Sequence, residues 1–175
     1  GSVITQNVKD ENLALTRSAQ LQSKYKKKKW IMCGIIGINS NKEVTSTILN
    51  SLRKLEYRGY DSAGIATLNS GYIQEVKCEG RVDNLEKNII KNKLLGNVGI
   101  GHVRWATHGI PSTLNAHPHS SDNVSVVHNG IIENSTLLKK FLVKKGHRFK
   151  SQTDTEVIVH LLSLIHISEP TRRLS

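Results

Sequence analysis

Covalent cross-links and membrane anchors find little support in this chain. Only two cysteines, Cys33 and Cys78, stand among 175 residues, too few for a disulfide framework. Residues 1–31 lack the apolar core of a secretory signal, so a reducing cytoplasm is the expected compartment. No apolar run approaches the length that crosses a bilayer, which points to a soluble protein without a membrane partner. No internal repeat is present, and no low-complexity segment apart from one lysine run at 26–29.

Negative charge is also scarce: 25 Lys and Arg face 14 Asp and Glu, a formal net charge of +11. An excess of that size suggests nucleic acid or an acidic surface, but its distribution weakens the suggestion. Residues 1–31 hold seven Lys/Arg against two acids, and the remaining 144 hold eighteen against twelve. Much of the basicity thus sits in a leader whose lysine run reads as a solvated, disordered tract. No nucleic-acid partner is expected for the rest. With 37% hydrophobic residues the chain can bury a modest core, and its length suits one domain.

From Cys33 onward the pattern alternates strand and helix. The apolar run 33–38, bounded by Asn39-Ser40-Asn41, reads as a buried strand. Val44, Ile48, Leu52 and Leu55 recur at helical spacing until Arg58-Gly59 ends the pattern, so one face of a helix packs on a sheet. Segments 65–68 and 72–77 read as a hairpin joined by Asn69-Ser70-Gly71. A polar helix or loop follows over 83–92, then strands over 98–105 and 124–128. Asn129-Gly130 suits a tight turn with positive φ. Leu137, Leu138, Phe141 and Leu142 predict a helix closed by Gly146. Thr153 and Glu156 resemble a capping box that opens a last helix through about residue 164, and Pro170 stops it.

Taken alone, Cys33 before Gly-Ile-Ile-Gly is a weak signal, since a free cysteine is often a small buried hydrophobe. Four further stretches add specificity: EYRGYDSAG from Glu56, HVRWATHG from His102, NAHPH from Asn115 and VVHNGIIEN from Val126. TDTEV from Thr153 completes the set. Together they closely resemble the N-terminal glutaminase domain of the glutamine:fructose-6-phosphate aminotransferases (isomerizing), which are class II glutamine amidotransferases. The resemblance runs from about Cys33 to Leu164. It implies an α+β fold, the αββα sandwich of the N-terminal-nucleophile (Ntn) hydrolases, with glutamine as substrate and neither cofactor nor metal.

The resemblance also implies roles for single residues. Cys33 attacks the carboxamide carbon as a thiolate, with its own α-amine as base once that amine is free. Asn129 and the backbone N–H of Gly130 stabilise the oxyanion. Arg104 suits the α-carboxylate of glutamine and Asp154 its α-ammonium. Trp105, Thr107 and His108 belong to a loop that closes over the substrate, with Gly109 and Pro111 shaping its far end. Arg58 and Asp61 brace the site, unless they form only a structural ion pair or helix cap. The histidines 102, 108, 117 and 119 would tempt a metal reading, but no Cys or acid cluster completes a ligand set. Cys78, on the probable hairpin, reads as structural.

Two departures from the family qualify these expectations. The α-nitrogen of Cys33 is in a peptide bond with Met32, so residues 1–32 read as a leader, disordered or spurious, with Met32 as the true start. The family also continues past the last helix with more glutaminase chain and two sugar-isomerase subdomains that bind fructose 6-phosphate. The domain at 33–165 is therefore expected to be partial, its sandwich incomplete at the C-terminal end, with 166–175 a foreign or disordered tail. Fructose 6-phosphate would meet only the missing subdomains, and the full-length protein would be a homo-oligomer. Two alternatives stay open: another class II amidotransferase, or an inactive fragment whose basic leader binds nucleic acid.

Overall fold

The computed structural model describes residues 12–16, 20–24, 33–105, 109–121 and 124–168. The lysine run at 26–29, Met32 and Pro170 lie outside the described residues, as do Thr107 and His108. Two units are distinguished, Gly1–Trp30 and Ile31–Ser175. Within the first, β1 (Asn12–Thr16) pairs antiparallel with β2 (Gln20–Lys24), so the segment expected as a leader contains a two-stranded hairpin.

The second unit is built on a four-stranded antiparallel sheet. Its strands are β3 (Gly34–Asn39), β4 (Ser62–Asn69), β5 (Tyr72–Glu79) and β6 (Val98–Arg104), in the spatial order β3-β6-β4-β5. On one face lie α1 (Thr45–Leu55) and α2 (Val82–Asn92). The helical spacing of Ile48 and Leu52 places both side chains in the core, each 0% exposed, among Ala63, Ile65, Val76, Leu85 and Val103. Close approach of α1 depends on small residues in β6. A Cβ on Gly101 would stand 2.6 Å from Ile48 Cγ2, a distance that packed cores do not tolerate.

The polar segment after β5 is a helix. α2 has no side-chain cap of its own; the Val82 N–H donates instead to Glu56 Oε1 at 2.8 Å, and a carboxylate there complements the helix dipole. Glu56 begins a short 3-10 turn, Glu56–Arg58, that follows α1. Cys78 is 4% exposed inside the core, where burial pushes its thiol up to about 11. An inert structural thiol is the consequence.

The opposite face of the sheet carries a second layer. There β7 (His119–Ser121) pairs antiparallel with β8 (Val124–Val126), and α3 (Ser135–Lys144) and α4 (Glu156–Ser168) follow. Helices, sheet, small sheet and helices thus form the α, β, β, α layers expected. Covered on both faces, β4 is buried from Ser62 through Thr67, which removes the inside-out alternation of a half-exposed strand.

Three local expectations need correction. The strand read over 124–128 stops at Val126, leaving Val127, His128 and Asn129 irregular. β7 forms at His119–Ser121, where no strand was expected. The capping box is not made: Glu156 reaches back past Thr153, accepting N–H bonds from Lys150 at 2.8 Å and Ser151 at 2.7 Å and the Ser151 hydroxyl at 2.6 Å. Thr153 Oγ1 pairs instead with His119 Nε2 at 2.8 Å. Both departures tie the loop before α4 to its own start and to β7, which fixes the position of Asp154 between them.

Candidate active site

Cys33 immediately precedes β3, and β3 pairs with β6 so that Gly34 lies opposite Val103. That register carries the thiol to the end of β6, beside Arg104 and Trp105. The Trp105 N–H donates to Cys33 Sγ at 3.1 Å, and the thiol stands 3.5 Å from the Trp105 carbonyl oxygen. Two side chains from other elements converge on the backbone carbonyl of Cys33. Arg58 Nε donates to it at 3.2 Å and Asn129 Nδ2 at 2.9 Å. The nucleophile candidate is therefore fixed through thiol and carbonyl at once.

The loop of the RGYD motif is pressed against β6. A Cβ on Gly59 would lie 2.6 Å from the Arg104 carbonyl carbon and 2.8 Å from the Trp105 nitrogen, so only glycine lets the two backbones approach. Asp61 follows, its N–H donating to the Arg104 carbonyl at 3.2 Å. The Trp105 ring meets Tyr60 edge to face, with centroids 5.7 Å apart.

Charge is arranged around the thiol. Burial pushes the Cys33 thiol above its ordinary range and Asp61 adds to that, while the Trp105 N–H and the Arg104 guanidinium pull the other way. Arg104 is 3% exposed. Burial lowers its pKa, opposed chiefly by the carboxylates Asp61 and Asp154, and it stays charged. Its Nη2 donates to the Gly109 carbonyl at 3.5 Å. Asp154 accepts the Ile132 N–H on Oδ2 at 2.7 Å, which joins the loop before α4 to the loop after Asn129-Gly130.

The structure therefore brings Cys33, Arg58, Asp61, Arg104, Trp105, Asn129 and Asp154 into one neighbourhood. Gly130 lies on the exposed rim with φ +145°, the positive φ anticipated for the turn. Thr107 and His108 lie outside the described residues. Among the described residues no three His, Cys, Asp or Glu side chains converge as a metal-ligand set.

Sequence reasoning missed two supports. Asn115 accepts the Gln152 N–H at 2.8 Å and donates to the Ile110 carbonyl at 2.8 Å, so the NAHPH stretch braces the loop that ends in Asp154. His102, which sequence reading weighed only as a metal ligand, places Nε2 3.0 Å from Asn129 Oδ1. Burial lowers its pKa to about 4, opposed by that same bond, and the ring is neutral at pH 7. The presence of Asn115 and His102 within quoted motifs was the available signal; their partners, distant in sequence, were not.

Chemically the cluster offers a thiol seated by a backbone N–H, an amide donor on the same residue's carbonyl, and a buried cation, Arg104, influenced by the carboxylates Asp61 and Asp154. A family described as the glutamine amidotransferase domain matches residues 102–175. Over 137 residues the chain is 58% identical to a glutamine–fructose-6-phosphate aminotransferase (isomerizing) of Clostridium acetobutylicum, covering 77% of this chain. Over 132 residues it is 53% identical to the protein of that name from Mesorhizobium japonicum, covering 75% of this chain. The chain spans 22% of the length of each of these relatives. Among solved structures, glutamine phosphoribosylpyrophosphate amidotransferase from B. subtilis, complexed with ADP and GMP, is similar at a TM-score of 0.59 and 31% identity. That likeness covers 75% of this chain and 29% of the other.

Proposed function

We propose, from the premise that this chain carries a class II glutamine amidotransferase domain of Ntn-hydrolase fold, homologous to the glutaminase part of the glutamine–fructose-6-phosphate aminotransferases, that Cys33 hydrolyses the side-chain amide of glutamine. The observation that carries this reading is Asn129 Nδ2, 2.9 Å from the Cys33 carbonyl oxygen. It sets an amide donor beside the thiol, with a second hydrogen left for an oxyanion.

The arrangement supports the following steps. Glutamine binds with its α-carboxylate toward Arg104 and its α-ammonium toward Asp154, which places its side-chain amide near Cys33. Because burial keeps the thiol protonated, its proton must leave as the sulfur attacks. The free α-amine of Cys33, with a reference pKa of about 8, is the group within reach to take it. The S–C bond forms, and the former carbonyl oxygen carries negative charge toward the Asn129 amide and the Gly130 N–H. Collapse breaks the C–N bond, the amine's proton passes to the departing nitrogen, and ammonia leaves a γ-glutamyl thioester. Water then adds to the thioester carbon, and glutamate and the thiol are released.

Trp105, Thr107 and His108 close over the bound substrate in this reading, excluding water, while Arg58 and Asp61 hold the nucleophile's surroundings. The reaction requires the α-amine of Cys33 to be free, so its peptide bond to Met32 must be absent from the active form. In the whole protein the ammonia passes to fructose 6-phosphate in amino-sugar synthesis, in the cytoplasm of the cell and on domains outside this sequence.

The test is glutamate release measured on two forms, one starting at Gly1 and one at Cys33. Release from the Cys33 form alone is expected, and its loss in Cys33→Ala. Equal release from both forms would show that the α-amine is not the base.

A further inference from the structure

We propose that His102 is a positioning residue for the oxyanion donor: its Nε2–H fixes which way the Asn129 amide faces. The inference rests on the hydrolytic reading above and extends it by one residue that touches neither substrate nor nucleophile.

Hydrogen-bond chemistry settles the orientation. The Cys33 carbonyl can only accept, so the group 2.9 Å from it must be the amide nitrogen of Asn129. The amide oxygen then faces His102 Nε2 at 3.0 Å. An amide oxygen also only accepts, so the single proton of a neutral His102 ring must reside on Nε2. A flipped amide would set its oxygen against the Cys33 carbonyl oxygen, a clash that no choice of histidine tautomer relieves.

Asn129 needs such an outside hold. It is exposed and lies past the end of β8, on irregular backbone, and the last torsion of an asparagine is broad and nearly two-fold. His102 is the opposite case, 0% exposed and in the interior of β6, paired with Ile35 on one side and Gly64 on the other. Its ring packs on His117 with centroids 4.4 Å apart, and His117 packs on His119 at 4.7 Å. A rigid strand thus reaches through one N–H to a flexible donor. Support of this kind gives a site its geometric precision.

The first readout uses the full chain and needs no activity. Long-range proton–nitrogen spectra of 15N-labelled protein at pH 7 should show His102 with Nε2 protonated and Nδ1 bare; the opposite tautomer overturns the proposal. His102→Gln keeps an amide donor near the place of Nε2, and His102→Phe keeps only the bulk. The Asn129 side-chain NH2 resonances should survive in the first and shift or broaden in the second, and an unchanged pair in His102→Phe overturns the proposal. In the glutamate-releasing form, His102→Phe should lower kcat by up to the ~10²-fold of a lost oxyanion donor, with KM for glutamine unchanged and recovery in His102→Gln. Combined with Asn129→Ala it should cost no more than Asn129→Ala alone. A raised KM, or losses that multiply, contradicts the proposal. If Cys33→Ala and Asn129→Ala both leave glutamate release intact, the hydrolytic reading fails, while the tautomer still decides the His102–Asn129 link. Should His102→Phe not fold, the wild-type tautomer and His102→Gln remain decisive.

Discussion

The backbone N–H of Trp105 donates to Cys33 Sγ at 3.1 Å, so the residue that follows the buried Arg104 also seats the thiol. One strand end therefore presents both the proposed clamp for a substrate carboxylate, Arg104, and the support for the proposed nucleophile. The support favours thiolate, yet burial outweighs it and holds the thiol protonated.

That balance sets the first prediction. With no substrate bound, alkylation of Cys33 by iodoacetamide should be slow at pH 7 and rise with a midpoint above the ordinary thiol value of about 8.5. Cys78 should stay unlabelled until the chain unfolds, because it lies in the core at 4% exposure. Rapid labelling of Cys33 at neutral pH would contradict the burial argument.

In the proposed mechanism Asn129→Ala removes a donor from the developing oxyanion. Loss of one such donor typically costs about 3–4 kcal/mol of transition-state stabilisation, so kcat for glutamate release should fall by about 10²–10³-fold with little change in KM. A change confined to KM would instead make Asn129 a substrate-binding residue.

Gly59→Ala adds a methyl group that meets backbone rather than a movable side chain, 2.6 Å from the Arg104 carbonyl carbon. Overpacking of this kind costs about 1–3 kcal/mol. Urea denaturation should show the loss, and glutamate release should fall with it because the displaced backbone carries the thiol's donor. Gly71→Ala, whose Cβ would meet nothing within 4 Å, should leave release unchanged and serves as the control, although its φ of +84° adds some strain.

Buried histidines make stability depend on pH. Burial lowers His102 and His119 to about 4, whereas an unfolded histidine titrates near 6.5. Between those values the unfolded chain binds more protons, so stability is full above about pH 6.5 and falls as the pH drops toward 4. Each of the two contributes on the order of 1–3 kcal/mol to that loss. Urea midpoints measured from pH 7.5 to 4.5 should fall accordingly, and His119→Gln should flatten the slope. A midpoint independent of pH over this range would refute the neutral, buried assignment.

Much of the architecture was legible because its signals are local. Helical spacing of Val44, Ile48 and Leu52 predicted α1, and the apolar runs beginning at Cys33 and Val98 predicted β3 and β6. Signals from distant partners were not legible. Glu156 takes its donors from Lys150 and Ser151, so the capping box suggested by Thr153 and Glu156 dissolved once His119 engaged the Thr153 hydroxyl. The site followed the same rule. Cys33, Arg104, Asn129 and Asp154 were named from short motifs, but the bonds from Arg58 and Asn129 to the Cys33 carbonyl span 25 and 96 residues of sequence. His102 had been weighed only as a metal ligand until its ring was seen against Asn129.

The most direct test of the central claim is to trap the covalent intermediate. The form beginning at Cys33 would be mixed with glutamine, quenched in acid during turnover and mapped by mass spectrometry. The account predicts a γ-glutamyl thioester on the peptide that starts with Cys33, absent in Cys33→Ala and unaffected by Cys78→Ala. Glutamate released with no adduct on Cys33, or an adduct found on Cys78, would contradict it.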